Sequence, residues 1–252
     1  RNDGVSVLKK KISRLLPAGD RAESERHYMA VHHTFARDRF RQMAEDVIGY
    51  HANRAIGQFD LNGRFRERPD AWRFVVTRWE SRDENTVGFM DETLRNLFYA
   101  DRPKCISSVA ACDVEEEVMI DHMTGQTSLV KYLFRYAPAQ FDDQKVFESY
   151  YRGTHLPALL EAVEAIPGLR LFITNRVLRE AELADREDGT MEYTGAYLER
   201  PSTFVYEEYY FDHDGLGEDF FASKAALALL RDSPYGRVLG YLVEEKCGVD
   251  RR

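Results

Sequence analysis

Short residue patterns occur twice in this chain, in the same order, and this repeat limits the folds that the chain can adopt. The matching segments, each pair followed by its shift in residues, are Tyr28-x-x-x-His32 and Tyr151-x-x-x-His155 (123), Asn53-Arg54 and Asn175-Arg176 (122), Glu67-Arg68-Pro69 and Glu199-Arg200-Pro201 (132), Asp101-x-Pro103 and Asp232-x-Pro234 (131), and Val114-Glu115-Glu116 and Val243-Glu244-Glu245 (129). No single match is persuasive, but five in one order indicate a duplicated domain. We therefore predict two repeats, residues 1–122 and residues 123–252.

Apolar spacing and turn residues predict the same order of elements in both repeats. In the first repeat we expect strands at 5–16, 47–58, 72–80 and 105–119, helices at 23–45 and 86–99, and a hairpin turn at 60–63. In the second we expect strands at 129–136, 169–179, 203–212 and 238–245, helices at 142–166 and 218–230, and a polar loop at 184–192. The order β-α-β-β-α-β is that of a ferredoxin-like unit.

The second face of each predicted sheet also needs cover, because residues 204–211 are apolar or aromatic on both sides of their strand. Packing the two sheets against each other provides that cover. The predicted fold class is therefore α+β: two ferredoxin-like β-α-β-β-α-β repeats packed sheet to sheet as an α+β barrel within one chain, with the helices outside.

Charge and apolar content exclude several classes of function. The chain has 35 Lys and Arg against 43 Asp and Glu, a net charge of −8, which argues against nucleic-acid binding. No apolar run approaches the ~18 residues of a membrane-spanning helix, so we expect no membrane partner. Cys105, Cys112 and Cys247 form neither a disulfide framework nor a zinc motif, and we expect a cytoplasmic protein. Because the chain begins at Arg1, we expect its true start, with any targeting segment, to lie upstream.

One stretch of the second repeat resembles a known family. The segment Tyr150-Tyr151-Arg152-Gly153-Thr154-His155-Leu156-Pro157, followed by Ile166-Pro167-Gly168-Leu169-Arg170, is similar to the signature of the EthD-like family, within the dimeric α+β barrel superfamily. The first repeat keeps Tyr28, His32 and Asn53 but lacks the His-x-Pro and Pro-Gly-Leu features. The resemblance implies a small barrel that holds apolar or aromatic compounds. Relatives include cofactor-free cyclases, isomerases, lyases and monooxygenases.

Tyr151 and His155 are the leading catalytic candidates. They lie four positions apart, on one face of the predicted helix, and Pro157 predicts a kink that turns the imidazole toward a cavity. A neutral imidazole is a good general base, and a neighbouring tyrosine can hold a carbonyl oxygen. The alternative is a histidine that only satisfies a kinked helix. Tyr28 and His32 are the equivalent pair, and we favour the second repeat as the active half.

Three histidines in the first helix raise the question of a metal, and their spacing argues against one. His27 and His32 are five apart, roughly 140° around an α-helix, so their side chains are not expected to converge. His33 points elsewhere again, and helical zinc ligands occur four apart. We expect no metal and no cofactor. Haem is left open, because some tandem α+β barrels bind it through a histidine.

Further candidates lie on predicted strands. His51 and Asn53 point to one side of their strand, and Asn175 is the equivalent of Asn53. If that side faces the helices, His51 meets His32 across the pocket and is a catalytic candidate; the alternative is a solvated His51 at a strand edge. Glu207 and Glu208 point to opposite faces, and one of them is expected to be buried, with an Arg pair as the structural alternative. The predicted substrate-binding residues are Asn175, Asn53, Trp79, Glu208 and Tyr210, with core packing as the alternative for the aromatic ones.

These residues favour a cofactor-independent enzyme that performs acid/base chemistry on a small apolar or aromatic carbonyl compound, as a lyase, isomerase, cyclase or dehydratase of a degradative or polyketide-type pathway. His155 or His32 is the expected base, and Tyr151 or Tyr28 stabilises the developing oxyanion. Two alternatives stay open: a cofactor-free monooxygenase and a non-catalytic small-molecule-binding barrel protein. The expected partner is a small-molecule substrate, and a homodimer is left open.

Overall fold

The computed structural model of the protein describes residues 7–43, 47–59, 65–66, 69–81, 100–125, 129–137, 143–164, 166–185, 191–223, 226, 228 and 237–250. The strands are β1 Val7–Pro17, β2 Val47–Phe59, β3 Phe65–Arg66, β4 Arg73–Ser81, β5 Ile106–Asp121, β6 Val130–Ala137, β7 Leu169–Asp185, β8 Met191–Tyr197, β9 Val205–Phe211 and β10 Arg237–Asp250. The α-helices are α1 Arg21–His27, α2 His33–Met43, α3 Gln144–Tyr150, α4 Leu156–Glu164 and α5 Asp214–Phe221. The predicted turn at 60–63 and the predicted helix at 86–99 lie outside the described residues.

Eight of these strands form a closed antiparallel barrel. Their order is β10-β6-β9-β7-β5-β1-β4-β2, and β2 pairs back with β10. The first half has the order β5-β1-β4-β2 and the second β10-β6-β9-β7, so the two halves match strand for strand. The predicted α+β fold class is confirmed. The two sheets are also hydrogen-bonded edge to edge, through β5 with β7 and β10 with β2.

The first helical segment of each half is interrupted by a π-helical turn at its Tyr-x-x-x-His pattern. The turn between α1 and α2 spans Tyr28–His32, and the turn between α3 and α4 spans Tyr151–His155. In the first turn the backbone N–H of His33 donates to the carbonyl of Tyr28, five residues back. Such turns occur mostly as single insertions in α-helices and frequently mark functional sites.

Aspartate side chains cap the N-termini of both helical segments. The carboxylate of Asp20 accepts a hydrogen bond from the Glu23 N–H, and the carboxylate of Asp143 accepts one from the Lys145 N–H. Each bond satisfies a backbone donor that the first helical turn leaves free. The helices start at Arg21 and Gln144, within two residues of the predicted starts at 23 and 142.

Apolar side chains pack in layers on the two sides of the barrel wall. The interior layer includes Ile12, Phe74, Val76, Leu133, Tyr206 and Tyr241. Between the wall and the helices of the second half lies an aromatic layer that includes Tyr132, Phe134, Tyr136, Phe147, Tyr151 and Tyr209. In the first half the corresponding layer includes Leu15, Tyr28, Trp72 and Ile106. A side chain's position along its strand therefore decides whether it faces the interior or the helices.

The polar loop predicted at 184–192 is wrong in part. Strand β7 runs on to Asp185 and pairs with β8, with Leu183 opposite Tyr193. Cross-strand pairing of these residues extends the sheet beyond the barrel. Within the described parts of the chain, no helix is long and apolar enough to cross a membrane.

Candidate functional site

The π-helical turn of the second half directs Tyr151 and His155 onto the sheet beneath it. Both side chains are buried. Their rings stack with centroids 5.5 Å apart and planes inclined by 28°. The four-residue spacing correctly predicted that these two side chains share a face. That face is the inner one, toward β6 and β9.

The carboxylate of Glu207, on β9, accepts hydrogen bonds from three tyrosine hydroxyls of the aromatic layer between the barrel wall and the helices. Tyr151 donates to Oε1 over 2.5 Å, and Tyr136 and Tyr209 donate to Oε2 over 2.7 and 2.6 Å. The Glu207 side chain is 0% exposed. A buried carboxylate without a cation is costly unless hydrogen bonds stabilise it, and these three bonds supply that stabilisation.

The hydroxyl of Tyr136 links Glu207 to His155. It lies 2.7 Å from Glu207 Oε2 and 3.4 Å from His155 Nε2. Since this hydroxyl donates to the carboxylate, its oxygen is left to accept from His155, which places the imidazole proton on Nε2. Glu207, Tyr136 and His155 therefore form one short hydrogen-bonded series that a proton can follow.

Burial sets the protonation of this cluster. It raises the pKa of the Glu207 carboxyl above its usual range, and the hydrogen bonds from Tyr151, Tyr209 and Tyr136 offset that only in part. It lowers the pKa of His155 to about 4. Burial, helped by the neighbouring Glu207 charge, raises the pKa of Tyr136 and Tyr209 well above its usual value. At neutral pH His155 is therefore neutral, and Glu207 is the stronger base of the two.

A surface pocket reaches this cluster through Tyr151. Its lining consists of Glu117, Glu148, Tyr151, Arg152, Leu156, Thr174, Arg176 and Val205. Tyr151 is the residue common to the pocket and the cluster, since its hydroxyl bonds Glu207. The charged residues of the lining pair with acidic neighbours, as in Arg152 with Glu117 and Arg176 with Glu148. Tyr151 is thus the lining residue through which a small molecule in the pocket would contact the cluster.

The equivalent place in the first half is built differently. The Tyr28 hydroxyl lies 3.1 Å from that of Tyr50, and the Arg73 guanidinium lies 4.2 Å above the Tyr28 ring. Val75 occupies the position on β4 that corresponds to Glu207 on β9. Tyr28 and His32 are both buried. Among the described residues, Tyr28 bonds another tyrosine and His32 bonds Asp101, whose side chain is partly exposed.

Several predicted site residues lie on the other side of the wall, in the barrel interior. Asn175 donates to Glu208 Oε1 over 3.0 Å, and Lys131 Nζ lies 2.7 Å from Glu208 Oε2. Lys10 also pairs with Glu208. Tyr210 and His51 approach Glu245, with distances of 3.5 Å for each.

Of the two sides that the sequence left open for Asn53 and Asn175, the structure has the barrel interior rather than the side that faces the helices. The side chain of Asn53 donates to the carbonyl of Phe74 within the sheet, and His51 approaches Glu245 rather than His32. Strand alternation is the physical reason, because these residues point away from the helices. Trp79 packs in a small separate cluster with Val47 and Tyr50.

Burial of the two adjacent glutamates also departs from expectation, since both are buried completely rather than one. The partners of Glu208 are lysines and not only arginine. Burial alone would raise its pKa, but the charges of Lys10, Lys131 and Arg78 hold it well below the usual range. Glu208 is thus a permanently charged member of an ion-pair network.

Three residues of the cluster were missed as site residues: Glu207, Tyr136 and Tyr209. All three lie on β-strands at positions that face the helices. The sequence alone does not show which side of a strand faces the helices. For Glu207 the signal was available, because alternation places it opposite Glu208.

His27 and His32 do not meet as two ligands of one metal ion, as expected, but both approach one carboxylate, that of Asp101. His27 Nε2 lies 3.0 Å from Asp101 Oδ1, and His32 Nδ1 lies 3.0 Å from Asp101 Oδ2. The π-helical turn is the reason, because its five-residue hydrogen bond brings residues five apart to the same side.

Comparisons with known proteins identify the fold. No family model matches the sequence, and no curated protein matches it. A candidate monooxygenase from Fusobacterium nucleatum shares 9% identity over 96% of this chain and 94% of its own, with a TM-score of 0.58. An anthrone oxidase-like protein shares 13% over 100% and 96%, with a TM-score of 0.56. A candidate monooxygenase from Lactobacillus acidophilus shares 12% over 97% and 96%, with a TM-score of 0.50. At these identities the likeness concerns the α+β barrel fold alone.

Proposed function

We propose that this protein is a cofactor-independent enzyme that moves protons on a small apolar or aromatic carbonyl compound, as in isomerisation, cyclisation, dehydration or carbon–carbon cleavage. The observation that carries this proposal is the fully buried Glu207 carboxyl, held by three tyrosine hydroxyls next to a neutral histidine. Two titratable groups whose pKa values burial moves in opposite directions are typical of acid/base sites.

The roles follow from the order of contacts. The substrate occupies the pocket beside Tyr151, whose hydroxyl gives its proton to Glu207 as it takes one from the substrate carbon. Glu207 then returns its proton to this hydroxyl as the hydroxyl gives a proton to another substrate atom, so no net proton is consumed. Tyr136 connects Glu207 to His155, which holds the series in one orientation. In this scheme Glu207 replaces His155 as the ultimate base, because burial weakens the imidazole and strengthens the carboxylate.

A second candidate function is a cofactor-free monooxygenase, in which the same base makes a substrate carbanion that reacts with oxygen. The names of three proteins with this fold favour it: two candidate monooxygenases and an anthrone oxidase-like protein. The site needs no change for this reaction beyond access of oxygen to the pocket.

We also propose that the chain arose by tandem duplication and that its second half is EthD-like. The strand order of the halves, the π-helical turn in each, and two equivalent ion pairs in the barrel support the duplication. These ion pairs are Lys10 with Glu116 and Lys131 with Glu245.

Proton abstraction can be tested before the natural substrate is known. A panel of aromatic ketones and hydroxylated aromatics is incubated with the protein in D₂O, and deuterium incorporation beside the carbonyl is followed by NMR. We expect exchange in the wild type and a loss of about 10²–10⁴-fold in Glu207→Gln. Oxygen uptake on the same panel separates the two candidate functions. Exchange that is unchanged in folded Glu207→Gln would refute the proposed base.

A further inference from the structure

Two histidines and an aspartate meet at the outer end of the first half. The π-helical turn brings His27 and His32 to the same side, and each contacts a different oxygen of Asp101 at 3.0 Å. The His32 side chain is 3% exposed and that of His27 27%.

A thiol completes the group. Cys105 follows a 3₁₀ turn at Arg102–Lys104, which is closed by a hydrogen bond from the Cys105 N–H to the Arg102 carbonyl. This turn returns the chain so that residues 101 and 105 face the same histidine. The ligand atoms of His27, Asp101 and Cys105 lie within 4.8 Å of one another, and Cys105 is fully buried.

We propose that His27 Nε2, a carboxylate oxygen of Asp101 and Cys105 Sγ bind a divalent transition-metal ion of the zinc class, with His32 holding the other Asp101 oxygen. Imidazole, thiolate and carboxylate are the ligands that Zn²⁺ takes in proteins, and hard cations such as Ca²⁺ or Mg²⁺ do not select this mixture. Three ligands leave a fourth position for water or a small anion. The thiol releases its proton to water as the ion binds.

His32 acts as a positioning residue in this site. Outer residues that hydrogen-bond a ligand fix its orientation, and their loss costs about 10–100-fold in metal affinity. The site is independent of the Tyr151–Glu207 cluster, because its residues belong to the first helical segment and to the 3₁₀ turn that precedes β5, both in the first half.

One nearby cation competes with the metal. Lys104 Nζ lies 3.6 Å from Asp101 Oδ1, and its side chain is 63% exposed. The ammonium is therefore free to move into solvent when an ion binds. Removing this charge with Lys104→Gln is expected to tighten metal binding by about fivefold, the value of one unit charge at this distance near water.

Cobalt provides the test, because Co²⁺ replaces Zn²⁺ in such sites and a cobalt–thiolate bond absorbs in the near ultraviolet. The chelator-treated full-length protein is titrated with CoCl₂, and then with ZnCl₂. We expect one Co²⁺ per chain, a thiolate band, and its displacement by Zn²⁺. The band is expected to vanish in Cys105→Ser and to persist in the matched control Cys247→Ser, which removes an exposed thiol.

Two more variants keep the test decisive if Cys105→Ser does not fold. His27→Gln changes a partly exposed side chain and is expected to weaken Co²⁺ binding at least tenfold, and His32→Gln about 10–100-fold. No band in the wild type at equimolar Co²⁺, a band that depends on Cys247, or unchanged binding in folded His27→Gln would overturn the proposal. None of these outcomes bears on proton exchange at Glu207.

Discussion

Two adjacent residues of β9 show how neighbours decide the chemistry of a buried carboxyl. Glu207 and Glu208 are both 0% exposed. Glu207 faces tyrosine hydroxyls, and its pKa is raised by burial. Glu208 faces ammonium and guanidinium groups, which hold its pKa well below the usual range despite the same burial. Burial therefore favours the protonated form of Glu207, whereas Glu208 remains charged.

Replacement of Glu208 is expected to affect stability rather than chemistry. Glu208→Gln leaves Lys10 and Lys131 with less compensation for their buried charges, and breaking such a network costs about 3–5 kcal/mol of unfolding free energy. Urea unfolding measures it. The double variant Lys10→Met/Glu208→Gln is expected to recover part of the loss. A Glu208→Gln protein as stable as the wild type would contradict the structural role.

Two buried histidines are expected to make the protein sensitive to mild acid. Burial lowers the pKa of His33 and of His155 to about 4 from 6.5, with Arg73 and Arg37 adding to the effect at His33. The unfolded chain therefore binds more protons between pH 6.5 and 4. These histidines do not lower the unfolding free energy above pH 6.5. As the pH falls toward 4, each lowers it by up to about 1.4 kcal/mol per pH unit.

The contribution of one histidine is measured by a matched comparison. Both ring nitrogens of His33 lack a hydrogen-bond partner among the described residues, and the ring stacks on Tyr28 and Tyr50. His33→Phe is therefore expected to keep the stack and to flatten the fall in stability between pH 6.5 and 4.5, as measured by urea midpoints. An identical pH dependence in wild type and variant would show that His33 does not titrate in this way.

At the scale of elements, the sequence predicted the first helical segment of each half but not its irregular turn. The observed segments, 21–43 and 144–164, agree with the predicted 23–45 and 142–166 within two residues. Apolar spacing does not distinguish an α-helix from one with a single inserted residue. The predicted kink was assigned to Pro157, yet the first half has the same π-helical turn with Thr34 at the equivalent position.

Gly153 offers a test of the second π-helical turn. A Cβ added there would contact nothing within 4 Å. Gly153→Ala is therefore expected to raise the unfolding free energy by about 0.5–1 kcal/mol, through the lower entropy of the unfolded chain. The contrasting control is Gly240→Ala, whose Cβ would lie 2.5 Å from the Phe134 ring and is expected to destabilise. A destabilised Gly153→Ala protein would show that the turn does not tolerate a side chain.

Strand alternation predicted which residues share a face, but not which face looks inward. His51 and Asn53 do lie together, in the barrel interior rather than beneath the helices. The interior is defined only when β10 pairs with β2, which joins residues about 190 positions apart in sequence. No local pattern contains that information.

At the scale of the whole molecule, the repeat predicted the barrel but not its charged interior. Lys10 and Lys131 occupy equivalent strands, and both contact Glu208. Lysine is rarely buried in proteins, so nothing in the sequence alone singles out these two residues as interior. Half of the candidate site could be predicted from the sequence. The spacing of Tyr151 and His155 identified them, whereas Glu207 and Tyr136 could be found only from the packing of β6 and β9.

The central claim is that proton transfer occurs at the Tyr151–Glu207 cluster and not at the equivalent place of the first half. The repeat supplies a matched pair of variants, Tyr151→Phe and Tyr28→Phe, each of which removes one buried hydroxyl. Deuterium exchange into an aromatic ketone tests them side by side, with melting temperatures as the control for folding. We expect Tyr151→Phe to lose about 10²–10⁴-fold in exchange rate and Tyr28→Phe to stay near the wild-type rate. Equal rates in the two folded variants, or a loss confined to Tyr28→Phe, would contradict the claim.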